Sequence, residues 1–299
     1  MQTIPIEMSS MNKHRLVARM FTRPVFAAIA QSGDWRTALA FLLRAGVVRN
    51  SQDATLGRLF ESGWNLLRLG YRNEYVYKSE IANRIVFGRH SPRTTGIEIE
   101  LPVGRSIIDV ATFNGTSTAY EIKTEFDTSR RLMTQTRDYL KVFDRVFVVA
   151  HPPRALRFAA LVDERVGVLA LDSRGSLATV KPAISNLCDV SVSSVFRCLR
   201  RAEYVSIAER IAGQRMNYPN GLISKRCEEY FSMLSPAVAH EFFVEAMRRR
   251  KTDASTVSFV SQLPPSLRAL GYATPLSARQ RNVALRSMNQ KTKLALAIS

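Results

Sequence analysis

Cysteine is scarce in this chain, and its three cysteines (Cys188, Cys198 and Cys227) form no C-x-x-C pair among 299 residues. An odd, scattered set argues against a disulfide framework or a zinc knuckle, and it is typical of a protein from a reducing compartment. Long apolar runs are also absent, since none approaches the ~20 residues that a membrane span requires. We therefore expect a cytoplasmic protein that has no membrane partner and no secretory signal.

Acidic residues are few compared with basic ones. The chain has 25 of the former and 43 of the latter, which gives a net charge of +18 and a pI of about 10.4. Such an excess predicts affinity for polyanions, with nucleic acid as the first candidate. From residue 254 to residue 299 there is no acidic residue at all. We expect this segment to be a nucleic-acid-contacting arm or a partly ordered tail.

Two short runs of cations are candidate contacts with nucleic acid. Arg130 and Arg131 form the first run. The second run ends a predicted helix, where cations are also favoured by the helix dipole alone, and it consists of Arg248, Arg249, Arg250 and Lys251.

A predicted hairpin between residues 105 and 123 carries the most informative charges. Asp109 lies inside an apolar run, an Asn114-Gly115 pair marks a turn, and a second strand follows with Glu121 and Lys123. Residues two apart in a strand share a face, so Glu121 and Lys123 point the same way. Buried charges of this kind form a poor core but a good metal site.

The loop of this hairpin decides whether Asp109 and Glu121 share a face. A two-residue turn would put the two acids on opposite faces. A three-residue loop over 113–115 would place Asp109 opposite Ala119, and one over 114–116 would place it opposite Glu121. We predict a three-residue loop or an equivalent bulge, and the 113–115 form is the commoner turn chemistry.

The spacing D-x11-E-x-K resembles the core of the PD-(D/E)XK nuclease superfamily. The resemblance implies that Asp109 and Glu121 bind Mg²⁺ or Mn²⁺, and that Lys123 positions or activates water. Ile108 stands where the proline of the superfamily's name would be. The alternative explanation is a solvated hairpin face with a simple Glu–Lys pair.

A predicted helix follows the second strand and carries Gln135 and Tyr139 on one face. A Q-x-x-x-Y helix directly after the E-x-K strand resembles the RecB-like branch of this superfamily. The resemblance implies that both side chains orient the lysine or the substrate backbone.

A third acid is left open by the sequence. The string Y-R-N-E-Y-V-Y-K, which contains Glu74, looks like a bacterial family of largely uncharacterised proteins on this nuclease fold. On that resemblance Glu74 would assist at the metal, and Glu80 and Glu100 are the alternatives.

The order of predicted elements favours an α/β fold. Predicted strands at 96–101, 145–150 and 166–171 surround the hairpin and its helix. We expect a three-layer α/β/α, restriction-endonuclease-like core with a mixed sheet over 70–175. A helical region over 1–69 would precede it, and a helical region with a basic tail over 176–299 would follow.

The sequence therefore predicts an Mg²⁺- or Mn²⁺-dependent endonuclease that hydrolyses phosphodiester bonds, with DNA as the expected substrate. One alternative is a non-catalytic nucleic-acid-binding or regulatory protein on a nuclease-like fold. Another is an assembly protein whose hairpin charges form only a surface network. A second copy of the chain or another protein stays open as a partner.

Overall fold

A computed structural model describes residues 9–47 and 54–292 of the chain, with only the backbone of residue 292. The chain forms two compact units. The first contains residues 1–83, 173–175 and 255–299, and the second contains residues 84–172 and 176–254. These units differ from the predicted boundaries at 69 and 175 in two respects. Residues 70–83, predicted as part of the core, belong to the first unit, and the second unit continues to residue 254. The sheet continues past residue 175 to Lys181, the helices up to residue 254 pack with it, and only the last helices belong with the N-terminal region.

The first unit begins with helices that have recognisable start and stop signals. Thr55 and Asn73 each accept a hydrogen bond from the main-chain N–H three residues ahead, at 3.4 and 3.3 Å. Gly33 ends another helix at φ +73°, in the left-handed region that glycine enters without cost. The elements are α1 (Ser10–Ala18), α2 (Arg23–Ser32), α3 (Arg36–Arg44), β1 (Ala54–Thr55), α4 (Leu56–Gly70) and α5 (Glu74–Ile81), and a π-helix, Ala82–Arg89, follows.

The second unit contains a six-stranded sheet in which the strands lie in chain order. The first three strands are antiparallel, the next two continue in parallel, and the last returns antiparallel. The predicted α/β class with a mixed sheet is confirmed, and the arrangement is consistent with three α/β/α layers. The elements are β2 (Gly96–Val103), β3 (Ser106–Asn114), β4 (Thr116–Lys123), α6 (Leu132–Leu140), β5 (Arg145–Ala150), α7 (Pro152–Leu161), β6 (Gly167–Leu171) and β7 (Leu177–Lys181).

The hairpin of β3 and β4 has the register that the candidate site requires. Asn114 pairs with Thr116, Gly115 occupies the tip at φ +71°, and the ladder ends at the pair of Val110 and Tyr120. Continuing this register by one residue places Asp109 opposite Glu121. The prediction that Asp109 and Glu121 share a face of the sheet is confirmed. The preferred 113–115 loop was wrong, since the turn is centred on Gly115 and corresponds to the 114–116 form.

Four helices after the sheet share its hydrophobic core. They are α8 (Val192–Cys198), α9 (Arg201–Ala212), α10 (Asn220–Ser232) and α11 (Pro236–Arg249). Phe243 of α11 meets Phe113 and Phe143 edge to face, with ring centroids 5.5 and 5.9 Å apart. Such contacts stabilise the core beyond the area that they bury. This packing explains why the helices belong to the sheet's unit.

The C-terminal segment is folded as far as residue 292. Its elements are α12 (Ala254–Gln262), α13 (Arg268–Ala273), α14 (Ala278–Asn289) and β8 (Lys291–Thr292). In the first unit α14 packs on α2 and α4, and β8 pairs with β1. The prediction of an arm or tail over 254–299 is therefore corrected for residues up to 292, and residues 293–299 lie outside the described part. None of the helices in the described ranges is long and apolar enough to cross a membrane.

Candidate active site

The side chains of Glu121 and Lys123 leave β4 on the same face of the sheet, as their spacing predicts. Lys123 Nζ donates to Glu121 Oε1 at 2.6 Å. Both residues are buried, with 2% and 8% of their surfaces exposed. A solvated hairpin face is therefore excluded. Taking two charges out of water is costly unless they are paired and hydrogen-bonded, and this pair meets that condition.

Helix α6 supplies two further side chains to the pair. Gln135 Oε1 accepts from Lys123 Nζ at 3.1 Å. The hydroxyl of Tyr139 lies 2.7 Å from Glu121 Oε2 and 2.7 Å from the main-chain oxygen of Ile107. A phenol has a single hydrogen, so Tyr139 donates to one of these two oxygens at a time. The Q-x-x-x-Y face of the predicted helix thus lies on the E-x-K strand.

The phenol of Tyr139 acts as a neutral donor. Its burial, together with the adjacent carboxylate of Glu121, raises the pKa of Tyr139 well above its usual value. Both causes disfavour the phenolate, because the anion would lose hydration and lie beside another negative charge. Tyr139 therefore keeps its proton at neutral pH and stays available as a donor to Glu121.

Asp109 joins the site from β3. Its Oδ2 accepts the main-chain N–H of Ile122 at 2.7 Å, between Glu121 and Lys123 in the chain. This bond lies just past the last pair of the β3–β4 ladder, Val110 with Tyr120. The aspartate side chain thus satisfies an N–H next to the point where the regular pairing stops. The structure thus brings the five predicted catalytic residues together on β3, β4 and α6. Side-chain hydrogen bonds join four of them, and Asp109 is joined to them through the main chain of Ile122.

The donors in this network suit a hard divalent cation. Asp109 and Glu121 supply two carboxylates, and Mg²⁺ is usually held by one or two of them together with water and substrate phosphate. Among the described residues, no group of three or more His, Cys, Asp or Glu side chains is placed to hold a metal ion. A site with two carboxylates fits Mg²⁺ or Mn²⁺ and does not fit a zinc site with four protein ligands.

The three acids that the sequence left open lie in different places. Glu74 begins α5 in the first unit, where its half-exposed carboxylate pairs with buried Lys78. Glu80 is buried in the same unit, where its Oε1 lies 4.0 Å from Arg68 Nη1. Glu100 is exposed on β2, which pairs with β3, and it has a positive φ of 59°.

Glu100 also occupies a notable position in the register. It lies between the pairs Ile99 with Val110 and Leu101 with Ile108, so counting along the strands places it opposite Asp109. A positive φ is uncommon for residues other than glycine, and strained backbone clusters at functional sites. Of the three acids, Glu100 is the one whose strand pairs directly with the strand of Asp109.

The predicted nucleic-acid contacts divide into exposed and internal residues. Arg130 and Arg131 are exposed just before α6, and Arg248 and Arg249 are exposed at the end of α11. Lys251 is half-buried. Arg249 pairs with Glu245 at 2.7 Å.

The prediction for Arg250 is corrected. Its side chain is only 6% exposed, it donates to both carboxylate oxygens of Glu203, and it also donates to the main-chain oxygen of Cys198. A guanidinium used in this way joins α11 to α9 and is not available to a phosphate.

Sequence reasoning did not identify a buried polar contact on the same sheet face. Ser117 Oγ lies 2.7 Å from His240 Nε2 and accepts the main-chain N–H of Asp144 at 3.1 Å. All three residues are buried. The Asp144 carboxylate is hydrogen-bonded to Thr116 and Ser185. The group therefore joins α11 to β4 and is not arranged as a nucleophilic triad, in which the aspartate would orient the histidine.

Comparison with known proteins places the chain in a family. No curated protein and no solved structure matches it. A family model, described as bacteriophage P4 protein cII, matches residues 68–266, which is more than half of the chain and contains the whole network. The chain belongs to the bacteriophage P4 protein cII family.

Proposed function

We propose that this protein is a metal-dependent nuclease that hydrolyses phosphodiester bonds in DNA. The observation that carries the proposal is the buried set of Glu121, Lys123 and Tyr139, which Gln135 and Asp109 join from half-buried positions. A network of two acids, a lysine and an amide on one sheet face has the groups that phosphate hydrolysis requires. The net charge of +18 supplies the attraction to the substrate.

Each residue of the network has a role that follows from its contacts. Asp109 and Glu121 would hold the divalent cation, which when bound supplies charge neutralisation and lowers the pKa of a coordinated water. Lys123 has three N–H groups, and two of them are directed at Glu121 and Gln135. The third is left to orient a water or to donate to a phosphate oxygen as negative charge develops on it. Tyr139 fixes the orientation of the Glu121 carboxylate.

The test is a cleavage assay with plasmid DNA and single-stranded DNA. We expect cleavage with Mg²⁺ or Mn²⁺ and none with EDTA. Lys123→Ala should reduce the rate by about 100-fold or more, since removing one donor to a developing oxyanion costs that much. DNA binding should persist, because it comes from the distributed charge.

Lys181→Ala is the matched control for this experiment. Lys181 lies on β7 of the same sheet, and its Nζ donates to the main-chain oxygen of Asp163 at 2.8 Å. This variant should cleave like the wild type. An unchanged rate for Lys123→Ala, or cleavage that survives EDTA, would contradict the proposal.

A second candidate function is a non-catalytic DNA-binding protein on the same fold. The observation that favours it is that the network already satisfies itself, because both oxygens of Glu121 and Oδ2 of Asp109 accept hydrogen bonds from the protein. On this alternative, Asp109→Asn would leave DNA binding unchanged and no divalent cation would produce cleavage. The same assay therefore separates the two functions.

A further inference from the structure

The turn directly after Lys123 is held by its own side chains. Thr124 N and Oγ1 both donate to Asp127 Oδ2, at 2.9 and 2.6 Å. Phe126 N donates to Thr124 Oγ1 at 3.2 Å. Local bonds of this type fix a turn without help from neighbouring strands.

Helix α7 braces the same turn from its first residues. Arg154 Nη1 donates to the main-chain oxygens of Thr124 and Glu125, at 3.3 and 3.0 Å. The guanidinium in turn lies 5.3 Å from the ring centroid of Phe158, which is buried. The turn is therefore fixed both by its own residues and by a cation that the core of the unit orients.

This braced turn presents an aromatic ring to solvent. Phe126 is 52% exposed. An isolated exposed hydrophobic residue is ordinary. An exposed ring on a braced turn beside a candidate catalytic lysine calls for an explanation.

The chain itself limits the distance between Phe126 and Lys123. Three residue steps span at most about 11 Å, and the hydrogen bond from Asp127 N to Thr124 O shortens the path. Measured between Cα atoms, this limit corresponds to about three nucleotides along one strand, at a rise of about 3.4 Å per nucleotide, so the backbone of Phe126 lies close to that of Lys123 on the scale of a bound strand. Arg130 and Arg131 are exposed at the other end of the same segment.

We propose that Phe126 stacks on an unpaired base next to the scissile phosphate, so that the substrate is single-stranded DNA or a junction with a single-stranded part. This inference rests on the proposed function, since it places the scissile phosphate at Lys123. A rigid aromatic ring with neighbouring arginines is the combination that binds single strands without sequence preference. The bases of an intact duplex are stacked on each other, so they offer the ring no free face.

The experiment compares binding of two DNAs in the presence of EDTA, so that cleavage plays no part. The probes are a fluorescein-labelled thymidine oligonucleotide and a blunt duplex of equal length. Phe126→Ala should weaken binding of the oligonucleotide by about 5- to 100-fold and leave duplex binding unchanged. Leu156→Ala is the control, because Leu156 is 77% exposed on α7 but lies outside the turn. A second variant, Phe126→Trp, should retain affinity and show quenching by the oligonucleotide beyond that of the wild type.

The outcomes separate this inference from the proposed function. Equal weakening on both DNAs, no weakening, or no binding of the oligonucleotide by the wild type would overturn the stacking role. If the wild type cleaves DNA while Phe126→Ala binds normally, the stacking role fails and the nuclease stands. If Phe126→Ala loses single-strand binding while no metal produces cleavage, the ring does stack and the nuclease fails.

Discussion

Glu121 is the residue on which the candidate site depends, because each of its carboxylate oxygens has a different partner. Oε1 accepts from Lys123, and Oε2 accepts from Tyr139. Removing either donor leaves a buried oxygen unsatisfied, which costs about 1–3 kcal/mol. The orientation of the carboxylate and the stability of the sheet are therefore coupled at this one side chain.

Tyr139→Phe is expected to impair cleavage more than it impairs folding. The change deletes one hydroxyl, leaves Glu121 Oε2 without its donor, and should lower the free energy of unfolding by about 1–3 kcal/mol. Cleavage should fall at least tenfold at a temperature where both proteins are folded. The measurements are urea denaturation and the cleavage assay with Mg²⁺ on plasmid and single-stranded DNA.

Tyr120→Phe is the matched control for that variant. Tyr120 is also buried, next to Glu121 in β4, and therefore points to the other face, where it stacks on Phe147. It should lose stability without a comparable loss of activity. Equal activity losses in the two variants would show that Tyr139 contributes to folding only.

At the scale of elements, the sequence predicted the parts of the site that depend on local spacing. Glu121 and Lys123 share a face because a strand repeats every two residues, and Gln135 and Tyr139 share one because a helix repeats about every four. Two such faces on consecutive elements meet when the helix packs back on its strand. That Asp109 and Glu121 share a face of the hairpin could be predicted for the same reason, although the residue at the tip of the turn could not.

The parts that were missed depend on contacts between distant segments. Arg250 looked like a surface cation at a helix end, and its pairing with Glu203 on α9 could not be read from spacing. The assignment of 176–254 to the sheet's unit has the same origin. The positive φ of Glu100 is a third example, because glutamate carries no signal for that conformation.

The junction between α11 and β4 is expected to make stability fall in mild acid. Burial lowers the pKa of His240, and the carboxylates of Asp144 and Glu241 oppose that shift only in part. The unfolded chain therefore binds the proton more readily than the folded one. The stabilisation is complete above the ordinary pKa of about 6.5 and is lost as the pH falls toward the folded pKa, with a slope approaching 1.4 kcal/mol per pH unit.

The measurement is urea denaturation at pH 7.5, 6.5 and 5.5, with His240→Gln as the comparison. Glutamine retains a group that can bond to Ser117 but does not titrate in this range. The variant should be less stable than the wild type at pH 7.5 and should show a smaller loss on acidification. Parallel curves for the two proteins would assign the acid sensitivity to other groups.

At the scale of the whole molecule, the excess of positive charge should make DNA affinity strongly dependent on salt. Each phosphate neutralised on a single strand contributes about 0.7 to the slope of log K against log salt. Arg130 and Arg131 are exposed beside the proposed site, and neither forms an ion pair in the described part of the chain. Replacing both with Gln should reduce the slope by about 1.4. The measurement is the fluorescence anisotropy of a labelled single-stranded oligonucleotide at salt concentrations from about 50 to about 300 mM NaCl.

A double variant, Arg36→Gln with Arg226→Gln, is the control for the salt experiment. Both arginines are exposed, but each already pairs with a carboxylate, of Asp34 at 3.0 Å and of Glu229 at 2.9 Å. Their removal should leave the slope unchanged. A slope that falls equally in both double variants would mean that binding depends on net charge and not on the residues beside the site.

The discontinuous first unit has a consequence for the order in which the chain can fold during synthesis. The second unit ends at residue 254, so all of it is made before residues 255–299 have been added. The first unit has to wait for those residues, because α14 packs on α2 and α4 and β8 pairs with β1. Domains generally fold as units while the chain is still being made. A nascent chain halted after Ala254 would therefore contain every residue of the candidate active site in a complete sheet, while its earliest helices still lacked their partners.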